Sequence, residues 1–273
     1  MENETLIYVI SGTIVALIFI LLSVLIRDTA MIWIETRIFG LLAYFFLFLT
    51  VLIGELRMLT KIKADFWLFK YHKPTAIFAI FLVFLHFVAA LADNYKWGKQ
   101  LVFSQYLGFS FSDKWLTLLS FGTLAFYLML LVGLTSATKS IQFLGFRNWK
   151  KIHYLSYPAF FIAFAHSFNL GTDIKTSFLA PVIRPLVLFT FLLVVALLLA
   201  RIAHGIFQFS DQWEINLAVI LFILLVIGSL FFASNIAANE SKISDLNSQV
   251  YSVQSSAKVQ QAANAQNIGA PNG

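Results

Sequence analysis

The sequence has no cysteine among its 273 residues. Disulfides are thereby excluded, and so are thiolate zinc sites, iron–sulfur clusters and haem attached covalently through a Cys-x-x-Cys-His segment. Any metal must rest on histidine or oxygen. Charge is scarce as well: Asp, Glu, Lys and Arg make up 12% of the chain against 60% hydrophobic residues, and the mean hydropathy is +0.83. This is the composition of an integral membrane protein, not of a soluble domain. A net charge of +6 and a pI near 9.5 would suit nucleic acid. The Lys and Arg residues sit instead in short loops between apolar runs, where they report topology.

Stretches free of Asp, Glu, Lys and Arg fall at 6–26, 38–54, 75–92, 115–138, 152–172, 185–200 and 215–238. Each is near the ~20 apolar residues a helix needs to cross about 30 Å of hydrocarbon, the shorter second and sixth being completed by their flanks. The predicted fold class is all-α, a polytopic membrane bundle of seven transmembrane helices. The sixth helix is expected to begin before Arg184, with Pro181 and Pro185 in its first turns, where a missing amide donor is cheapest. An acidic leader, Met1-Glu2-Asn3-Glu4-Thr5, and no small-residue cleavage pattern mark the first run as a retained helix. The loops with Arg57, Lys61, Lys63, Lys70 and Lys73 and with Lys139, Arg147, Lys150 and Lys151 belong inside. That places the amino terminus inside and the carboxyl terminus outside. Loop density decides this orientation, since the totals are ten Lys and Arg inside against nine outside.

The longest outer loop, 93–114, is rich in rings and suits an interfacial belt or a lid. Residues 239–273 turn polar, with Ile243, Leu246, Val250, Val253 and Ala257 spaced by three and four. A short helix and then disorder are expected there. The organisation read from the chain is a first helix with its connection over 1–36, a core over 37–200, a seventh helix over 201–238 and a polar outer tail over 239–273.

Four of the five histidines lie on two helices: His72 and His86, fourteen apart, on the third span, and His153 and His166, thirteen apart, on the fifth. An imidazole in hydrocarbon is costly without a partner, so His86 and His166, deep in their spans, are functional candidates. If the third and fifth helices face each other, His72 lies level with His153 and His86 with His166, the two levels being about 20 Å apart. Two opposed imidazoles are the axial set for a six-coordinate haem iron, and two such haems make a wire across the bilayer. On the third span fourteen residues return to within about 40° of the starting face, which is lined by Thr75, Ala76, Ala79 and Val83. Those small residues fit either room for a macrocycle or plain helix packing. On the fifth span thirteen residues leave the histidines about 140° apart on an ideal helix; a kink at Pro158, between them, is the expected adjuster. Lys73, Arg147 and Lys150 near the inner level, and Arg184 near the outer, are candidate partners for haem propionates. His204 has no partner at matched spacing and is read as interfacial.

The segment Trp149-Lys150-Lys151-Ile152-His153-Tyr154-Leu155-Ser156-Tyr157 followed by His166, together with His72-Lys73, His86 and the pattern from Gly40-Leu41-Leu42 to Leu52-Ile53-Gly54, resembles the ferric reductase-like transmembrane family of NADPH oxidases, ferric reductases and the haem subunit of methionine-sulfoxide reductase systems. The resemblance covers roughly 37–200 and implies a six-helix core, here with one further carboxyl-terminal helix. In that family the third and fifth core helices carry the haem ligands, a role that passes to His72, His86, His153 and His166. No Gly-x-Gly-x-x-Gly opens a helix after a strand, so the chain resembles the stand-alone haem core. It would then take electrons from a separate flavoprotein, a quinol or a flavin bound at its inner face.

The function this implies is a cell-membrane di-haem cytochrome of the b type, an oxidoreductase passing electrons from the inner His72–His153 haem to the outer His86–His166 haem and on to an outer acceptor: ferric iron, oxygen or a partner reductase. A quinone-linked cytochrome b subunit is the nearest alternative. A transporter using the histidines for protons or a bare metal is the rival from another class, although Glu55 is the one acid within the spans.

Overall fold

The computed structural model describes residues 29–59, 67–93, 103–175, 179–207 and 215–230, with short pieces or single positions at 12–14, 16–18, 20, 213, 246 and 250. Contacts divide the chain into two units, 1–222 and 223–273. The second is represented by the helical residues 223–230 and by Leu246 and Val250.

Regular structure among the described residues is helical. The long helices are α1 (Thr29–Leu59) and α2 (His72–Ala92), with a 3-10 turn at Trp67–Tyr71 leading into the latter. A short α3 (Phe103–Leu107) precedes α4 (Lys114–Thr135), and two short helices follow, α5 (Thr138–Leu144) and α6 (Phe146–His153). Then come α7 (Ser156–Leu170), the single turn α8 (Thr172–Lys175) and α9 (Ala180–Phe207). Four helices are long and apolar enough to cross a membrane: Met31–Arg57, Leu68–Ala92, Lys114–Thr135 and Ala180–Phe207; Ile215–Leu230 is a shorter apolar helix. These stand where seven spans were predicted. Most of the first run, Lys61 and Lys63, residues 94–102 and nearly all of the tail lie outside the described residues.

Large apolar side chains such as Ile34, Leu131, Val182 and Ile206 are exposed on these helices, a pattern unfavourable in water and ordinary against lipid. The interior is built from all of the long helices: Tyr44 and Phe48 of α1, Ala79 of α2, Met129 of α4, Phe160 of α7 and Val194 of α9 share one core cluster. Ala79, Ala159 and Ala200 are buried to 1% or less. With no side chain beyond Cβ they let helices approach closely, the usual basis of packing in lipid.

Local chemistry explains the breaks. Asp113 caps α4, its side chain accepting from the Leu116 amide at 2.9 Å. Gly145, at φ +75°, makes the corner between α5 and α6, a conformation that favours glycine. α9 begins at Ala180, before Arg184, with Pro181 in its first turn.

The fifth span is one run in the sequence and two helices in the structure. Between α6 and α7 the Leu155 amide donates to the Ile152 carbonyl at 2.9 Å and the Tyr157 amide to the Tyr154 carbonyl at 3.2 Å. These are i to i−3 bonds of the 3-10 type, which wind the chain more tightly than an α-helix. Thirteen residues spread over four turns require about 3.25 residues per turn, between the 3.6 of an α-helix and the 3.0 of a 3-10 helix. The tight turn at Tyr154 and Leu155 therefore supplies rotation in the sense that the histidine spacing lacks. Pro158 is not a mid-helix kink: it is the third residue of α7, within the first turn, where its amide would have no helical acceptor.

Candidate functional site

The four predicted histidines meet as two pairs. The His72 and His153 rings lie 6.1 Å apart between centroids and are tilted by 57°; those of His86 and His166 lie 6.3 Å apart at 78°. His204, in the last turn of α9, is half-buried.

Each ring is carried by one helix and oriented by another. On α1, the Thr36 carbonyl accepts from His86 Nδ1 at 2.8 Å and the Thr50 carbonyl accepts from His72 Nδ1 at 3.0 Å. On α4, the Leu118 carbonyl accepts from His166 Nδ1 at 2.7 Å. A carbonyl oxygen can only accept, so these three rings carry their proton on Nδ1, and in the neutral imidazole Nε2 presents its lone pair. His153 reaches the same state by another route. Its Nδ1 lies 3.3 Å from Ser136 Oγ, whose own proton goes to the Val132 carbonyl at 2.6 Å. Ser136 Oγ therefore accepts, from His153 and from Trp149 Nε1 at 3.3 Å.

In a helix the carbonyl of residue i already takes the amide of residue i+4. At the three carbonyl sites that later residue is Gly40, Gly54 and Gly122, and each faces the ring it makes room for. A Cβ on Gly40 would stand 2.9 Å from His86 Nδ1, one on Gly122 2.6 Å from His166 Cε1, and one on Gly54 3.4 Å from His72 Cε1. Gly40 and Gly54 are fourteen apart, as are Gly122 and Ser136, the interval that separates His72 from His86. Gly122, Ser136 and the orienting carbonyls were not among the predicted site residues. Their signal in the sequence is this repeated interval.

The surroundings of the two pairs differ. His86 and His166 line a cavity of about 440 Å³ that also touches Gly40, Gly122, Val83 and, at a polar end, Arg37, Asp173 and Lys175. Arg37 grips Asp173 with two hydrogen bonds, Nε donating to Oδ2 at 2.8 Å and Nη2 to Oδ1, and its guanidinium lies 4.1 Å from the Trp33 ring centroid. From the ring-rich segment 103–111, Tyr106 is buried against the cavity while Phe103, Phe109 and Phe111 are exposed. The described end of this segment is tied to α4: the Tyr106 carbonyl accepts from Thr123 Oγ1 at 2.8 Å and the Leu107 carbonyl from the Tyr127 hydroxyl at 2.6 Å. Burial, and then the nearby Asp93 carboxylate, push the Tyr106 phenol above its ordinary range. At the His72–His153 pair the rings are backed by aromatics. Phe69 stacks on His72 at 5.3 Å, the Arg57 guanidinium lies 3.6 Å from the Phe69 ring centroid, and Trp149 lies 4.9 Å from His153.

Of the candidate propionate partners, Lys73, Arg147 and Lys150 are exposed, Lys150 Nζ being 5.9 Å from the Tyr154 ring. Arg184 is 5.8 Å from the Phe168 ring and is not among the residues lining the cavity at His86 and His166, whereas Arg37 and Lys175 are.

The donor chemistry fits a haem at each pair. Two imidazole nitrogens bound from opposite sides to one metal ion at about 2 Å each hold their ring centroids about 6 Å apart. Among the described residues no three His, Asp or Glu gather as a metal cluster. A bare ion at either pair would find two protein ligands where three or four are usual, and a tetrapyrrole would supply the rest.

Fold and site together define a membrane-embedded helical protein with two imidazole pairs stacked along its helices. Residues 39–164 match the family model described as ferric reductase like transmembrane component, in agreement with the resemblance read from the motifs. The match takes in Gly40, Gly54, His72, His86, Gly122, Ser136 and His153, and stops two residues short of His166. Transmembrane electron transfer, and oxidoreductase chemistry in general, go with such a segment. No curated protein and no solved structure matches the chain.

Proposed function

We propose that the chain is a di-haem electron carrier of the b type, with His72 and His153 as axial ligands of an inner haem and His86 and His166 as those of an outer one. The observation that carries this reading is the doubling: two imidazole pairs at 6.1 and 6.3 Å, every ring with its Nδ1 proton engaged by an oxygen and Nε2 left for a metal. A haem held between two histidines supplies a one-electron couple with no open position for substrate. The chain's own part is to fix four imidazoles in one tautomer, to leave glycine-sized space beside three of them, and to keep water from the core. Arg37 and Lys175, at the polar end of the outer cavity, are placed to meet anionic haem substituents there.

In this reading the four long helices, α7, the run 6–26 and Ile215–Leu230 make seven crossings of a cell membrane, with the amino terminus inside and the tail outside. Electrons arrive at the inner pair from a separate flavoprotein, a flavin held at the inner face or a quinol. They leave from the outer pair to an outer acceptor.

The test is an absorbance spectrum of the detergent-purified chain, oxidised and then dithionite-reduced, with haem extracted and counted per polypeptide. About two haems per chain with a six-coordinate spectrum is the expected result. A chain expressed with ample haem that carries none would return the histidines to the transporter reading.

A further inference from the structure

Three titratable groups, Glu55 fully buried and Tyr157 and Arg201 half-buried, meet about one helical turn from the inner histidine pair and take no part in holding it. Glu55 is fully buried and follows Gly54, the residue that makes room for His72. The Tyr157 hydroxyl donates to Glu55 Oε1; Tyr157 stands four residues after His153. From α9, Arg201 Nη1 donates to the same oxygen at 2.9 Å and to the Tyr157 hydroxyl at 2.7 Å, and its guanidinium lies 5.7 Å from the Tyr154 ring. Three helices thus converge on one carboxylate. Ionisable groups at such depth are expensive, and a packed apolar trio would hold α1, α7 and α9 together as well or better. Structure alone does not account for their presence.

Resting on the haem reading above, we propose that Glu55, Tyr157 and Arg201 set the reduction potential of the inner haem as positioning residues, by balancing charge beside it. Adding an electron to a site in low dielectric is opposed by a nearby negative charge and helped by a positive one. The Glu55 carboxylate lowers the potential, Arg201 raises it, and the Tyr157 hydroxyl, by sharing the carboxylate's charge, moderates the first effect. The pair is neutral as a whole, so the inner haem feels a dipole whose two ends are set separately. The outer haem, at the other end of the helices, is screened from it by distance.

The experiment is a spectroscopic redox titration of the full chain and its variants in detergent, resolving the midpoint of each haem. Haem content is counted first. Two haems in every variant means the haem reading stands and the titration judges the charge effect alone; no haem in the parent chain overturns the haem reading itself. Glu55→Gln, which leaves Arg201 unbalanced, is expected to raise the inner midpoint, and Arg201→Met to lower it. The double variant should return it close to the parent value, with the outer midpoint unmoved throughout. Tyr157→Phe deletes no charge and keeps the ring, so it serves where a single charge variant fails to accumulate; it is expected to lower the inner midpoint. An inner midpoint that stays put in Glu55→Gln and in Tyr157→Phe, with two haems bound, overturns the proposal. So does an equal shift of both haems.

Discussion

At the scale of single residues, the three glycines that face histidines make a graded series whose order follows from distance. Glycine inside a helix normally costs about 1 kcal/mol relative to alanine, so Gly→Ala is stabilising where there is room. Overpacking costs about 1–3 kcal/mol. At Gly54 the new methyl would meet His72 at 3.4 Å, an ordinary contact, and Gly54→Ala should leave both haems bound with stability unchanged or slightly raised. At Gly40 the contact is 2.9 Å and at Gly122 2.6 Å, both with atoms of an imidazole that is pinned by its own hydrogen bond. The ring cannot yield without losing that bond. Gly122→Ala should therefore release the outer haem while the inner one stays, taking the count per chain from about two towards one; Gly40→Ala should do the same less completely. Haem extraction and the reduced spectrum read this directly, and an order other than Gly122, Gly40, Gly54 would show that the glycines serve helix packing instead. His86→Ala gives the reference spectrum, since it removes an outer ligand outright.

At the scale of elements, the tight turn between α6 and α7 is the feature on which the second histidine pairing depends. One alanine inserted between Tyr154 and Leu155 would rotate everything after it by about 100° on a helix and advance it by about 1.5 Å. His166 would then turn away from His86 while His153, on the near side of the insertion, kept its place beside Ser136. Loss of the outer haem with retention of the inner is the expected outcome. Pro158→Ala, in the first turn of α7, should be close to neutral in haem content and within about 1 kcal/mol in stability. A reversed result would return the adjusting role to proline. This is also where the sequence was legible only in part. The spacing of thirteen announced a conflict with a regular helix, and the ring geometry shows it resolved, but the 3-10 bonds at Tyr154 and Leu155 leave no composition signature comparable to a proline. The histidines themselves were legible because a buried imidazole needs a reason. The orienting carbonyls of Thr36, Thr50 and Leu118 were not, because a backbone acceptor has no letter of its own. Arg37–Asp173 and Glu55–Arg201 join residues 136 and 146 positions apart, and no local pattern brings such partners together.

At the scale of the whole molecule, the proposed function makes the two pairs a route for electrons from one face toward the other. The fourteen residues between His72 and His86 put about 20 Å between the levels, most of the ~30 Å thickness of the hydrocarbon. On the haem reading, passage from the inner pair to the outer pair carries an electron over about two thirds of that thickness. Protein purified with its haem and reconstituted into vesicles holding trapped ferricyanide should oxidise a membrane-impermeant reductant added outside, read as bleaching of the ferricyanide absorbance. Since a single electron carrier works in either insertion, mixed orientation lowers the rate without abolishing it. Protein-free vesicles give the leak to be subtracted. In His86→Ala the inner haem should remain reducible from its own side while the bleaching falls to the leak, because the gap left to cross without an intermediate site is then the full distance between the levels and beyond. Bleaching at the parental rate in that variant would mean that electrons do not pass through the His86–His166 pair, and the pair would need another explanation. Bleaching lost in His86→Ala and kept in Gly54→Ala would tie transfer across the bilayer to the stacked arrangement of the two pairs.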